Sequence, residues 1–260
     1  MARFGFCDLA VIPVRKEPSD RSEMSTQLLF GDLVEILDQS GSWLSVENFF
    51  DGYNGWVDVK QIRETDEEEY IRLTGLPLFV NRSLFSEHIK VGGEAIKLPA
   101  GCSFYGLQNQ SLKLGDREFI FDGRAWPFTF TGIDKLLDTA KGYLSCPYLW
   151  GGKTFLGIDC SGLTQVVYKQ HGISLLRDAA QQAAQGETIS FLNDSRPGDL
   201  AFFDNAEGNI AHVGILPDTQ HILHCSGKVR IDTIDHQGIF NHDLNRYTHS
   251  LRVIKRVVGH

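Results

Sequence analysis

Cys160 stands in the stretch Gly157-Ile158-Asp159-Cys160-Ser161-Gly162-Leu163, and its neighbours predict a thiol on the first turn of a helix. Asp159 is an N-cap type, because a carboxylate accepts the unpaired backbone N–H groups two or three residues on. Leu163, Val166 and Val167 follow at i, i+3, i+4 spacing and make one apolar face. Gly172 sits where a helix of about three turns ends in a left-handed residue. At such a helix start the dipole and the unsatisfied N–H groups favour an anion, and the thiolate is the nucleophilic form of cysteine. A lone cysteine is more often a small buried hydrophobe, so the reading depends on its partners.

Two histidines supply them. If a hairpin of residues 212–216 and 221–225 centres on Asp218, His212 and His224 oppose each other on one face, about 5 Å apart. One imidazole then reaches the thiol and the other orients it, giving nucleophile, base and orienter in the order Cys160, His212, His224. Imidazole titrates near neutrality, so His212 can take the thiol proton and later return a proton to a leaving amine. A slip of one residue would send the rings to opposite faces. Cys160, His212, His221 and His224 are also zinc-ligand types. Positions 221 and 224, three apart on a strand, face opposite sides, so no metal is expected.

The elements that must hold these groups read as follows. Ile133, Leu136, Leu137, Ala140 and Leu144 keep helical spacing behind a capping Thr131. Pro197-Gly198-Asp199 announces a buried strand at residues 200–203, and a last strand is expected at 251–257. Helices first and antiparallel strands afterwards make residues 129–260 an α+β domain. Residues 1–63 read instead as short strands with turns at Ser40-Gly41-Ser42 and Asp51-Gly52. Gly52-Tyr53-Asn54-Gly55-Trp56-Val57 resembles the Gly-x-x-Gly-Trp-Val strand of bacterial SH3-like domains, with Trp43 and Trp56 expected in a small barrel's core. The acidic run at 65–70 reads as a solvated connector. Residues 64–128 read as a second small β-barrel.

The chain of 260 residues has 42% hydrophobic and 22% charged residues and a net charge of −8. That balance argues against a nucleic-acid partner and against docking on an anionic membrane. No stretch approaches the ~20 apolar residues of a membrane span. Met1-Ala2-Arg3-Phe4-Gly5-Phe6-Cys7-Asp8 lacks the features of a signal peptide, which predicts a cytoplasmic protein. The five cysteines are irregularly spaced, so a disulfide framework is not expected.

From about residue 133 onward the sequence resembles the NlpC family of papain-like cell-wall cysteine peptidases. The matching blocks are Pro147-Tyr148-Leu149-Trp150-Gly151-Gly152, Asp159-Cys160-Ser161-Gly162-Leu163 and Arg177-Asp178-Ala179-Ala180-Gln181. They continue with Pro197-Gly198-Asp199-Leu200-Ala201-Phe202-Phe203, His212-Val213-Gly214-Ile215 and His224-Cys225-Ser226-Gly227. The resemblance implies Cys160 as nucleophile, His212 as base and His224 as the polar third residue. With SH3-like segments ahead of it, the chain is similar to γ-D-glutamyl-L-diamino acid endopeptidases, the dipeptidyl-peptidase VI group. These act on muropeptides with a free N-terminal L-alanine and cut after the γ-linked D-glutamate.

In that group the Pro-Tyr-x-Trp-Gly-Gly aromatics line the site, here Tyr148 and Trp150. The residues flanking the nucleophile contact substrate, here Asp159 and Ser161, the former through the substrate ammonium. The SH3-like domain adds a tyrosine and an acid that close the non-primed end, here Tyr53 and Glu23. Tyr148 or a backbone N–H of the Cys160 helix is expected to hold the oxyanion. Ala180 departs from the pattern, since relatives often carry serine there. The implied partner is a muropeptide, and no cofactor is implied. An amidase or acyltransferase on the same scaffold and a non-catalytic wall-peptide binding module are the alternatives.

Overall fold

The structure, a computed structural model, describes residues 2–84 and 88–258. The chain divides into two compact units, Met1–Thr129 and Phe130–His260.

In the first unit, seven strands pair in the order Met24–Leu29, Val11–Arg15, Asn54–Asp58, Trp43–Asn48, Leu33–Ser40, Arg3–Phe6 and Arg63–Thr65. Leu44, Val46 and Val57 point into an aliphatic core with Ile12, Val14 and Leu28. The strand pleat therefore turns Trp43 and Trp56 to the other face, where both are only half-buried. The tryptophans expected in the core stand at its margin. The acidic run is a helix rather than a connector, Glu67–Thr74, with Asp66 accepting the Glu69 N–H at its start. Three glutamates in its first turn complement the positive end of the helix dipole.

Residues 78–127 add two further sheets. One has four strands, in the order Glu94–Lys97, His88–Val91, Arg117–Asp122 and Ser111–Leu114. The other has three, in the order Ser103–Tyr105, Leu78–Asn81 and Ala125–Pro127. Ile89, Phe104 and Phe119 from these sheets share one apolar cluster with Phe6 and Phe30.

The second unit begins with the helix Ile133–Gly142, which buries Leu136, Leu137 and Ala140. Thr131 does not cap it. Gly132 takes that position at φ 102°, and the Thr131 hydroxyl bonds His171 Nδ1 at 2.6 Å instead. A wholly buried helix, Cys160–Gln170, follows and ends before Gly172 at φ 72°. A closed sheet surrounds one side of it. Its strands run in the order Arg246–Arg256, Asp199–Asp204, Ile210–Leu216, His221–Ser226, Lys228–Ile234 and Gly238–Asn241, and the last pairs back to the first. Glu187–Ile189 lies outside on Arg246–Arg256. The final strand starts earlier than residue 251 because it must pair with both Asp199–Asp204 and Gly238–Asn241. No helix among the described residues is long and apolar enough to cross a membrane.

Candidate active site

Cys160 is the first residue of its helix, and the Asp159 carboxylate caps that helix by accepting the Gly162 N–H at 2.6 Å. Glycine is required here by contact. A Cβ on Gly162 would lie 2.3 Å from the Gly152 carbonyl oxygen, and one on Gly152 would lie 2.4 Å from that of Gly157. The Gly151-Gly152 turn is thereby pressed against the helix start that carries the thiol.

The strand Ile210–Leu216 packs on this helix. The backbone N–H groups of Val213 and Ser161 bond the Cys160 sulfur. The residue before Val213 is His212, so the strand that touches the sulfur also bears the histidine expected to act as base.

His212 and His224 share a face, though not as directly opposed residues. The pairing runs Gly214↔His224 and Ile215↔Leu223. The turn therefore centres one residue later than Asp218, and partners shift by two. A two-residue shift preserves side-chain parity, whereas a shift of one would have reversed it. His212 sits diagonally from His224, and Gly214, directly across, has no side chain to come between them. A Cβ there would meet Ile222 Cδ1 at 2.7 Å and His224 Cβ at 2.8 Å. Across that gap His212 Nε2 lies 2.8 Å from His224 Nδ1, with the rings at 87°.

Two residues absent from the sequence reading complete the cluster. His224 Nε2 is 2.9 Å from Asp232 Oδ2, a carboxylate in the strand Lys228–Ile234. Register explains it, for Ile222 pairs with Asp232 and His224 with Arg230, so Asp232 is another diagonal neighbour on the same face. The second is His249, whose ring stacks on His212 at 4.2 Å and 27°. Parity about the Gly227 turn could have flagged Asp232. His249, in Arg246–Arg256, carried no comparable local signal.

The electrostatics describe a neutral resting pair. Burial pushes the Cys160 thiol up to about 12, and the neighbouring Asp159 carboxylate adds to it. The N–H groups of Val213 and Ser161 and the Arg177 guanidinium offset this only in part. Burial likewise holds the His212 imidazole well below its usual value, with His224 and His249 contributing. The sulfur is therefore not the standing anion expected from the helix dipole. A helix terminus contributes at most ~2 kcal/mol, less than the 3–5 pKa units that full burial can impose.

Asp159 and Ser161 are both buried, at 6% exposure each. Asp159 accepts Gly162 and Gly151 N–H groups and a bidentate pair from Arg177 at 2.6 and 3.1 Å. Arg177 also reaches the Ser161 oxygen at 2.8 Å. Tyr148 and Trp150 lie on the loop before the helix, at 36% and 59% exposure. Burial first, then the nearby thiol and carboxylate groups, raises the Tyr148 phenol, which keeps it a proton donor. Tyr53 and Glu23 belong to the first unit. Tyr53 is half-buried at the head of the strand Asn54–Asp58, and Glu23 pairs with Lys16 at 3.7 Å. His221 pairs with Asp218 away from the cluster. Among the described residues no set of three or more His, Cys, Asp or Glu is arranged to hold a metal.

This is a papain-like arrangement, a thiol at a helix start against the strand of a closed antiparallel sheet that carries His212, preceded by a bacterial SH3 domain. Residues 145–247 match the NlpC/P60 family, and residues 14–62 match the bacterial dipeptidyl-peptidase SH3 domain. The chain is 30% identical over 215 residues to a γ-D-glutamyl-L-lysine dipeptidyl-peptidase of Bacillus subtilis, covering 77% of this chain and 72% of that one. A Bacillus cereus protein of the same name is 27% identical over 238 residues, covering 79% and 68%. The crystal structure of an NlpC/P60 family protein from Bacillus cereus superposes with a TM-score of 0.81 at 21% identity, covering 98% of this chain and 100% of that one. The chain belongs to the NlpC/P60 family.

Proposed function

We propose that this protein hydrolyses the γ-D-glutamyl-L-diamino acid bond of wall peptides that begin with a free L-alanine, releasing L-Ala-γ-D-Glu. The coarser statement follows from the family: the chain is a cysteine peptidase of the peptidoglycan-hydrolysing kind. The finer one is supported by the names of the relatives above and by the dipeptidyl-peptidase SH3 match.

The observation that carries the catalytic part is the contact of the His212–Val213 strand with the Cys160 sulfur, together with the 2.8 Å bond from His212 to His224. In this reading His212 Nδ1 takes the thiol proton as sulfur attacks the γ-carbonyl of D-glutamate. The Cys160 backbone N–H, at a helix start where such groups lack an intrahelical partner, and the Tyr148 phenol receive the developing oxyanion. His212 then protonates the departing amine, leaving a thioester between Cys160 and the dipeptide. Water, deprotonated by the same imidazole, frees the carboxylate and restores the thiol.

Asp159 and Ser161 meet the substrate amine, with Trp150 against the peptide. The Asp159 charge is already matched by Arg177. A cationic amine therefore needs a second acid. We extend the proposal to a cytoplasmic place of action on peptides already released from the wall. Kinetics on paired substrates test the amine requirement. N-acetylation of L-Ala is expected to lower kcat/KM by at least about 100-fold, since it removes the positive charge that this second acid would pair with. Equal cleavage of both peptides would refute it.

A further inference from the structure

The geometry points to Asp232 as the positioning residue that sets the tautomer of both active-site imidazoles. The inference rests on the reading of His212 as general base, and it concerns which nitrogen of that ring is bare.

Asp232 is 4% exposed, and its two oxygens have different partners. Oδ2 is 2.9 Å from His224 Nε2, and Oδ1 accepts an Arg230 N–H at 2.7 Å. Arg230 in turn pairs with Asp243 at 2.9 Å. Burial opposes ionisation of Asp232, but the bonds from His224 and Arg230 outweigh it and hold the carboxyl below its usual range. An ionised carboxylate accepts and cannot donate. His224 Nε2 must therefore carry a proton.

The rest follows ring by ring. With its proton on Nε2, a neutral His224 presents a lone pair at Nδ1. His212 Nε2, 2.8 Å away, then donates to it. That leaves His212 Nδ1 as a lone pair, which is the form a general base requires. Of the matched proton arrangements in this chain of bonds, only this one leaves His212 Nδ1 bare. Were His224 to donate from Nδ1, His212 would accept at Nε2 and hold its own proton at Nδ1, facing the thiol with a proton it cannot exchange for another. Once His212 is protonated, the Asp232 charge also faces the imidazolium through one ring.

Arg230 makes the substitution Asp232→Asn informative. Its N–H claims the amide oxygen, so the amide NH2 is turned toward His224 Nε2. That donor forces the opposite tautomer on His224 and then on His212. Asp→Asn directly behind a catalytic histidine costs ~10⁴ in kcat through tautomer inversion in the serine-protease triad, whereas outer-shell partners of metal-bound histidines cost 10–100-fold. One ring further out, a kcat loss of about 100-fold or more is expected, with KM changed by less than about threefold because Asp232 touches no substrate.

The experiment combines steady-state kinetics of Asp232→Asn with long-range ¹H–¹⁵N spectra of the histidine rings. The wild-type protein is expected to show His212 and His224 each protonated at Nε2 and bare at Nδ1. The variant is expected to show both inverted. Unchanged kcat in a folded variant, or unchanged ring tautomers, overturns the proposal. If the variant does not fold, a proton on Nδ1 of either ring in the wild-type protein overturns it by itself, and bare Nδ1 atoms in both support it. Cys160→Ala and His212→Gln are measured alongside. Activity in either would defeat the reading of Cys160 as nucleophile and His212 as base, while inactivity there with full activity in Asp232→Asn would defeat only the role of Asp232.

Discussion

Burial leaves the sulfur of Cys160 and the ring of His212 as two neutral groups, and that has a measurable consequence. A preformed thiolate–imidazolium pair alkylates at a rate that hardly varies between pH 6 and 8. Here burial pushes the thiol up to about 12 and holds the imidazole low. Deprotonated sulfur is thus scarce at pH 6 and increases tenfold with each pH unit. The rate of Cys160 modification by iodoacetamide in the substrate-free protein is expected to climb steeply across pH 6–9. A plateau reached by pH 6 would show a standing ion pair instead. Proton transfer in this account accompanies attack, so substrate binding, by displacing water and supplying the electrophile, triggers the reactive form.

At the scale of elements, the site depends on a hairpin whose glycine lies opposite a histidine. Gly214→Ala puts a methyl 2.7 Å from Ile222 Cδ1 and 2.8 Å from His224 Cβ, on a strand paired along both edges. Overpacking of this kind costs about 1–3 kcal/mol. The His212–His224 bond, set by the same gap, is expected to weaken with it, and kcat to fall at least about tenfold. Denaturant unfolding with kinetics checks both, and a variant of wild-type kcat would show that the gap does not set the rings.

Much of this level was legible in the sequence. Asp159 as cap, Gly172 as terminator and the shared face of His212 and His224 all came from local rules of spacing and capping. What escaped was decided by pairing between distant segments. The hairpin register depended on where the turn closes, Asp232 on the next strand's alignment, and His249 on a strand that pairs on both edges. The Thr131 cap failed because His171, forty residues away in sequence, claimed its hydroxyl.

Across the whole molecule, each unit is built around its own core, and the sequence distinguished β-rich from mixed composition near residue 129. It did not show that Phe6 and Phe30 share an apolar cluster with Phe104 and Phe119, because only the third dimension brings those runs together. Nor did it show that the acidic run folds as a helix, since the capping rule at Asp66 was masked by the run's charge. The family's peptidase chemistry and the narrower substrate proposal meet in one observable, the identity of the product. Mass spectrometry of digests of defined L-Ala-γ-D-Glu-diamino acid peptides, with wild-type protein and Cys160→Ala in parallel, is the most direct test. The dipeptide L-Ala-γ-D-Glu is expected from the wild-type protein and none from the variant. Scission at any other bond, or dipeptide release by Cys160→Ala, would contradict the account.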